Sequence, residues 1–377
     1  MKLEVREMIH RIFKVLLLSS ILLVILVHCK KVEYPQTFRY RVDLQNTGLF
    51  PNEAAIDTVT KVEWKYLTSD WLFSSPAIID GYVYFGGTNG RFYCFDIKGK
   101  KQWEFETETS IYSTPTIINK IAYFGNMAGE FFALDLTNRE VIWKKKFPKG
   151  VYTSPAVVND IIYLGSQDST FYALDRFSGD EIWHFKTDEQ IYSSPAVLDS
   201  TIYFGNNAGN LFALNLSDGV SRWIYKAQGA ILGAPAISAD SMILFSSLDG
   251  NLYAISADSG ITYWTFPSNG PMSTTPAIAN GKAFVGSWDN FFYAIDLKTG
   301  NKLWEFKTKD QVMGSAAISG NLVYFGSRDG NLYALDMDSG KLKWKFKTED
   351  SVGMTPTIFN GRIYLGSMDR HFYVLAK

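Results

Sequence analysis

Eight tryptophans divide the chain at an almost constant interval. Trp64, Trp103, Trp143, Trp183, Trp223, Trp264, Trp304 and Trp344 are spaced by 39, 40, 40, 40, 41, 40 and 40 residues, and only Trp71 and Trp288 lie off this ladder. A fixed period of this length restricts the chain to repeat architectures. Each unit holds four short runs separated by turns. In the third these are "TSPAVV" (153–158), "IIYLGS" (161–166), "TFYALD" (170–175) and "DEIWHFK" (180–186). The runs are rich in Val, Ile, Tyr and Phe, and the turns in Gly, Asn, Asp and Ser, which are strand and hairpin signals. Four antiparallel strands in about 40 residues predict a β-propeller blade. The middle runs, such as "YVYFGG" and "RFYCF", are apolar on both faces, as a sheet packed between two others requires. No stretch after residue 60 has a helical period.

The last unit supplies three runs, "TPTIF", "RIYLGS" and "HFYVLA", but no fourth. The first tryptophan stands in "KVEWKYL" (61–67), a fourth run without the other three. If that strand completes the last unit, the chain is an all-β, eight-bladed propeller of four-stranded blades over residues 61–377. Closure of the ring removes exposed sheet edges.

The repeats resemble the pyrroloquinoline-quinone (PQQ) type propeller repeat and its tryptophan-docking motif, Ala-x-Asp-x-x-x-Gly-x-x-x-Trp. The motif stands intact as Ala173, Asp175, Gly179 and Trp183, as Ala294, Asp296, Gly300 and Trp304, and as Ala334, Asp336, Gly340 and Trp344. Cys94, Arg139, Asn215 and Ser256 depart from it. "RVDLQNTGLFP" (41–51) looks like the lead-in common before such propellers. The resemblance implies a structural role for the eight ladder tryptophans, each packing on the adjacent blade. Two groups within the wider family frame the function. Quinoprotein alcohol dehydrogenases hold PQQ and calcium on the propeller axis, and many carry adjacent cysteines and long insertions. BamB-type lipoproteins are bare eight-bladed propellers that assist outer-membrane β-barrel assembly. This chain resembles the second in length, export signal and lack of insertions.

The first residues read as an export segment. Lys2, Arg6, Arg11 and Lys14 precede an apolar run from Val15 to Val27, shorter than the roughly 20 residues that span a bilayer. "LVHC" looks like a lipoprotein cleavage box, with Cys29 as the lipid attachment site. The alternative is an uncleaved anchor. The expected organisation is residues 1–28 as signal peptide, 29–60 as tether and lead-in, then the propeller. Two cysteines cannot build a disulfide framework, and Cys94 reads as a small buried residue. A net charge of −1 without long runs of one sign gives no basic face for nucleic acid.

No catalytic set, metal cluster or phosphate loop is visible, so no enzyme activity, PQQ, calcium or other metal is expected. The aspartates of the second turns (Asp168, Asp249, Asp289, Asp329, Asp369) suit tight turns. His184 reads as an outer-strand surface residue. Antiparallel strands place the links between units and the second-to-third hairpins on one face. That face gathers Trp71, Phe73, Tyr112, Tyr152, Tyr192 and Trp288, with Met313 and Arg328, and also Met127, Met272, Met354 and Met368. Aromatic and methionine side chains suit a protein or peptide partner, while the structural reading is that they seal the mouth of the ring. The expected function is an exported, lipid-anchored, monomeric scaffold in the cell envelope. A quinoprotein oxidoreductase and an envelope ligand sensor are the alternatives.

Overall fold

The computed structural model describes residues 37–377. The export segment and Cys29 lie outside the described residues. Each repeat unit folds into four antiparallel strands, A to D from the axis outward, and no helix occurs among the described residues. Blade 1 consists of Ala77–Ile79, Tyr82–Gly86, Arg91–Asp96 and Lys101–Glu106. Seven blades are continuous in sequence. In blade 8, strands Thr357–Phe359, Arg362–Gly366 and His371–Ala376 take Lys61–Leu67 as strand D, with Leu67 opposite His371 and Lys61 opposite Ala376. The N-terminal strand therefore closes the ring.

Packing explains the residue pattern. Strands B and C lie between two neighbouring sheets and are buried almost throughout, as in Ile161–Gly165 and Phe292–Ile295. Strand D is covered on one face only. Its alternate residues, Trp183 and Phe185 for instance, turn inward while their neighbours face solvent. A small residue stands opposite seven of the eight ladder indoles, as where Ala173 faces Trp183 and Ala334 faces Trp344, and Val374 stands opposite Trp64. Cys94 takes this position opposite Trp103, and burial pushes its thiol up to about 12.

Each ladder tryptophan reaches into the next blade. Indole Nε1 of Trp64, Trp143, Trp223 and Trp304 donates to the carbonyls of Ile97, Arg176, Ala257 and Met337 at 3.0–3.1 Å. The motif glycine admits the ring. At Gly179, which has φ +75°, a Cβ would stand 2.7 Å from Trp143. At Trp103 the glycine is replaced by Arg139, which adopts φ 69° and lays its guanidinium 6.0 Å from the indole centroid. Trp344 donates to the Ile56 carbonyl at 2.7 Å, because residues before the closing strand stand where a turn of blade 8 would be.

A second ring of contacts lies nearer the axis. Strand B ends in glycine in seven blades, and an aliphatic side chain of the next blade fills the space a Cβ would need. Ile111 does so at Gly86, Ile231 at Gly205 and Leu72 at Gly366. In blade 5 strand B ends in Ser246, and the residue at this register is the unbranched Met272.

Candidate functional site: a closed axial funnel

Residues 37–60 do not form a tether. Residues 37–50 line the axis and plug the ring, and residues 53–60 run outward against blades 7 and 8 to the closing strand as its lead-in. Thr37–Phe38 pairs with strand A of blade 2. The amides of Val197, Ile237, Ile278 and Ile318, from four successive blades, then donate to the carbonyls of Leu44, Gln45, Thr47 and Gly48 at 2.7–2.9 Å. Asn46 Nδ2 donates to the Pro195 and Pro235 carbonyls. The Glu53 carboxylate accepts the amides of Asn360 and Gly361 in the A–B turn of blade 8. These contacts place the plug toward the A–B turns.

The channel is therefore a funnel open on the other face, with a cavity of about 590 Å³. Tyr40 of the plug contributes to its wall and meets the Thr275 hydroxyl at 3.4 Å. Above the plug runs a belt of hydroxyls just before strand A, one from each blade except blade 5, which has Ala234 there. Thr114 Oγ1 accepts the amide of Ser75, Ser154 Oγ that of Thr114, and Ser194 Oγ that of Ser154. Thr275 and Ser315 accept the amides of Ala234 and Thr275. The belt staples blade to blade and points its side chains at the axis.

Above the belt the funnel is asymmetric. Phe73, Tyr112, Tyr152 and Tyr192, one from each of blades 1 to 4, form a continuous arc with ring centroids 5.3, 5.0 and 5.3 Å apart. At the same register blades 5 to 8 carry Leu232, Ser273, Met313 and Gly353. Trp288 enters this half from a B–C hairpin and donates its Nε1 to Ser273 Oγ at 3.0 Å. Met354 and Met368 also line the cavity. None of the lining residues is Asp, Glu, Lys, Arg or His. Burial, then the neighbouring Tyr112, Tyr40 and Tyr192, push the Tyr152 hydroxyl up to about 12, so it stays protonated as a donor. The Asn207 side-chain oxygen is buried in the wall with no partner among the described residues.

Of the residues singled out in the sequence, Phe73, Tyr112, Tyr152, Tyr192, Trp288 and Met313 line one cavity. Trp71 and Arg328 do not. Trp71 is 48% exposed and packs edge-on to Phe73, extending the arc outward. Arg328 hydrogen-bonds the Gln311 side chain at 3.2 Å. Met127 lies outside the lining. Met272 is fully buried, a correction to its expected place on the face: it occupies the register that packs against strand B. Met354 is also almost fully buried, so only its edge reaches the funnel, and its sulfur receives the Gly366 amide. Sequence reasoning missed the plug, Tyr40, Asn207 and the belt. The belt had a signal, a Ser or Thr before the proline that opens strand A in six units.

The hairpin aspartates are occupied. Asp329 Oδ2 accepts the Tyr333 hydroxyl at 2.6 Å and the Lys309 amide at 3.0 Å, while Oδ1 accepts the Asn331 amide. Asp249, Asp289 and Asp369 repeat this arrangement with Tyr253, Tyr293 and Tyr373. Each clamps its hairpin to the link that precedes its own strand A. His184 is exposed on strand D against Glu181. No group of three or more His, Cys, Asp or Glu side chains that could hold a metal occurs among the described residues.

A protein-family profile described as outer membrane protein assembly factor BamB matches residues 58–145, 137–231, 226–344 and 299–377. The chain belongs to the BamB family. No curated protein matches it in sequence. Among solved structures, BamB from Moraxella catarrhalis superposes with a TM-score of 0.74 at 20% identity, over 85% of this chain and all of that one. A europium-containing methanol dehydrogenase superposes at 0.79 with 13% identity, over 90% of this chain and 97% of the enzyme. The quinohemoprotein alcohol dehydrogenase ADHIIG from Pseudomonas putida gives 0.77, also at 13% identity, over 90% of this chain and 79% of that one. At these identities the likeness is one of fold. This BamB-family ring shares its architecture with BamB from Moraxella catarrhalis and with dehydrogenases alike.

Proposed function

We propose that the chain is a non-catalytic scaffold of the cell envelope that binds an uncharged, aromatic-rich stretch of a protein partner in the axial funnel. The client we have in mind is an outer-membrane β-barrel protein during assembly. The observation that carries this reading is the funnel lining: a four-ring aromatic arc facing Met313, Met368 and Trp288, without one charged side chain. Aromatic rings give rigid contact area and methionines adapt to varied side chains. Export and lipidation at Cys29 would tether the ring as a monomer to a membrane facing the periplasm. Cys29→Ser would then leave the detergent phase, and unchanged partitioning would point to an uncleaved anchor.

The likeness to quinoprotein dehydrogenases supports a second reading, and the funnel argues against it. PQQ is a tricarboxylate, and a buried carboxylate needs a cation or a dense set of donors. The lining offers no lysine or arginine for the quinone acid and no carboxylate for calcium. No step is built on that cofactor.

The test is anisotropy of a labelled, urea-unfolded outer-membrane barrel protein diluted into the full chain. Tyr152→Ala and Trp288→Ala should each weaken binding about thirty-fold, the size of a 2 kcal/mol hot spot. Tyr263→Ala, exposed on an outer strand, should leave it unchanged. Wild-type affinity in both funnel variants would move the site elsewhere. Absorbance changes and dye reduction on adding PQQ with calcium would favour the oxidoreductase. Binding of neither probe would favour a sensor for a small neutral ligand.

A further inference from the structure

Among the described residues, Arg41 is a buried cation without an ion pair. Only 5% of its surface is exposed. Its Nε donates to the Asn46 carbonyl at 3.1 Å and its Nη2 to the Pro276 carbonyl at 3.2 Å, while Nη1 has no partner among the described residues. Asp43 is the acid that acts on it, but the two Asp43 oxygens are engaged by the Thr47 amide and hydroxyl. Burial lowers the guanidinium's proton affinity, yet arginine does not give up its proton in proteins. A buried charge in this position requires a counter-charge or strong solvation.

A cavity of about 10 Å³ adjoins it, with a polar side of Arg41, Ser75, Thr114, Thr355 and Thr357 and an apolar side of Phe38, Val42, Phe50 and Pro356. This admits one small body. Donors stand on its polar side only. Thr114 Oγ1 already accepts the Ser75 amide, so its hydrogen is left to give. Thr357, by contrast, gives its one hydrogen to the Pro76 carbonyl and can offer the cavity only an acceptor oxygen. A guanidinium N–H and the hydroxyls of Ser75, Thr114 and Thr355 beside a buried cation suit an anion.

We propose that this cavity holds a single chloride-sized monovalent anion, which neutralises Arg41 and ties the plug to blades 1, 2 and 8. The site is separate from the funnel and does not depend on what the funnel binds. The experiment is thermal unfolding of the purified full chain in sodium chloride against sodium gluconate at constant ionic strength, gluconate being too large to enter. The midpoint should rise with chloride concentration as a site binding only the folded state fills. The rise should vanish in Arg41→Gln and shrink in Thr355→Val. Equal midpoints in the two salts for the wild type would overturn the proposal, leaving water in the cavity and Asp43 as the distant counter-charge. A chloride effect that persists unchanged in both variants would overturn it as well, by placing the ion on the surface. Should Arg41→Gln fail to fold, Thr355→Val and crystals grown in bromide decide. An anomalous peak beside Nη1 supports the site, and its absence overturns it.

Discussion

The ring is closed without a covalent bond, by Lys61–Leu67 on His371–Ala376, and Trp64 is the side chain on which that closure most depends. Its indole stacks on Phe95 of blade 1 at 5.7 Å and on Phe372 of blade 8 at 5.5 Å, and donates to the Ile97 carbonyl at 3.1 Å. Phe372 in turn stacks on Phe85 at 4.2 Å. Trp64→Ala removes both stackings, the hydrogen bond and much of the apolar contact across the seam. A fully buried Trp→Ala change costs about 3–5 kcal/mol. Trp64 is only partly buried, so the low end, about 3 kcal/mol, is expected. With a urea slope of about 3 kcal/mol/M, at the top of the usual range for a ring of this size, the midpoint should fall by about 1 M. The assay is urea unfolding followed by far-ultraviolet circular dichroism, with Tyr263→Ala as the exposed control, expected within about 0.5 kcal/mol of wild type. The variant should also aggregate at lower denaturant, because the edge of strand C in blade 8 becomes available for pairing. A midpoint within experimental error of wild type, with no added aggregation, would refute the view that this seam holds the ring.

Gly179→Ala should cost on the order of 1–3 kcal/mol, since φ +75° disfavours a side chain and the added Cβ would meet Trp143; a melting temperature equal to wild type would show that the docking turn is slack. Burial raises the Asp329 carboxyl, but the Tyr333 hydroxyl and the Lys309 and Asn331 groups outweigh it and hold the carboxyl below its usual 3.8. Its stabilising contribution is therefore present above pH 3.8 and lost as pH falls through the lower folded value; Asp329→Asn should flatten that acid limb in urea midpoints measured against pH. Tyr333 has the opposite sign: burial first, then Asp329, push its hydroxyl above 10, so its contribution is intact below pH 10 and lost as pH rises beyond it. Ultraviolet titration of tyrosinate should show this group and its counterparts Tyr253, Tyr293 and Tyr373 ionising only as the ring unfolds.

The architecture was legible because a propeller repeats its requirements. Each of the first seven blades has a small residue opposite an indole, a left-handed turn under the preceding indole and two strands apolar on both faces, so seven copies of one pattern appear in the sequence, with blade 8 as a variant of it. The plug was not legible, because it occurs once. Its contacts with the blades are largely backbone carbonyls meeting strand A amides, and any residue supplies a carbonyl. What it does show, Arg41 and Asn46 beside Gly48, has no second copy against which to be recognised. In principle the inner strands announced a need for it. Their axial amides and the carbonyls of Pro195, Pro235 and Pro276 are buried polar groups that must find partners, and the plug meets them in blades 4 to 7.

The same reasoning separates structure from function within the funnel. Two neighbouring registers lead into each strand A. The first, Leu72, Ile111, Val151, Ile191, Ile231, Met272, Val312 and Val352, is aliphatic in all eight blades because it packs against the end of strand B. The second is not uniform: Phe73, Tyr112, Tyr152 and Tyr192 give way to Leu232, Ser273, Met313 and Gly353. Ring closure places no demand on this second register, since its side chains point into the cavity and blades with serine or glycine there fold as well as blades with tyrosine. Where eight equivalent units hold one register constant and let the next vary by sector, packing accounts for the first. The sector of aromatics in the second is then best explained by what enters the funnel, and it is at Tyr152, midway along that arc, that substitution should separate binding from stability.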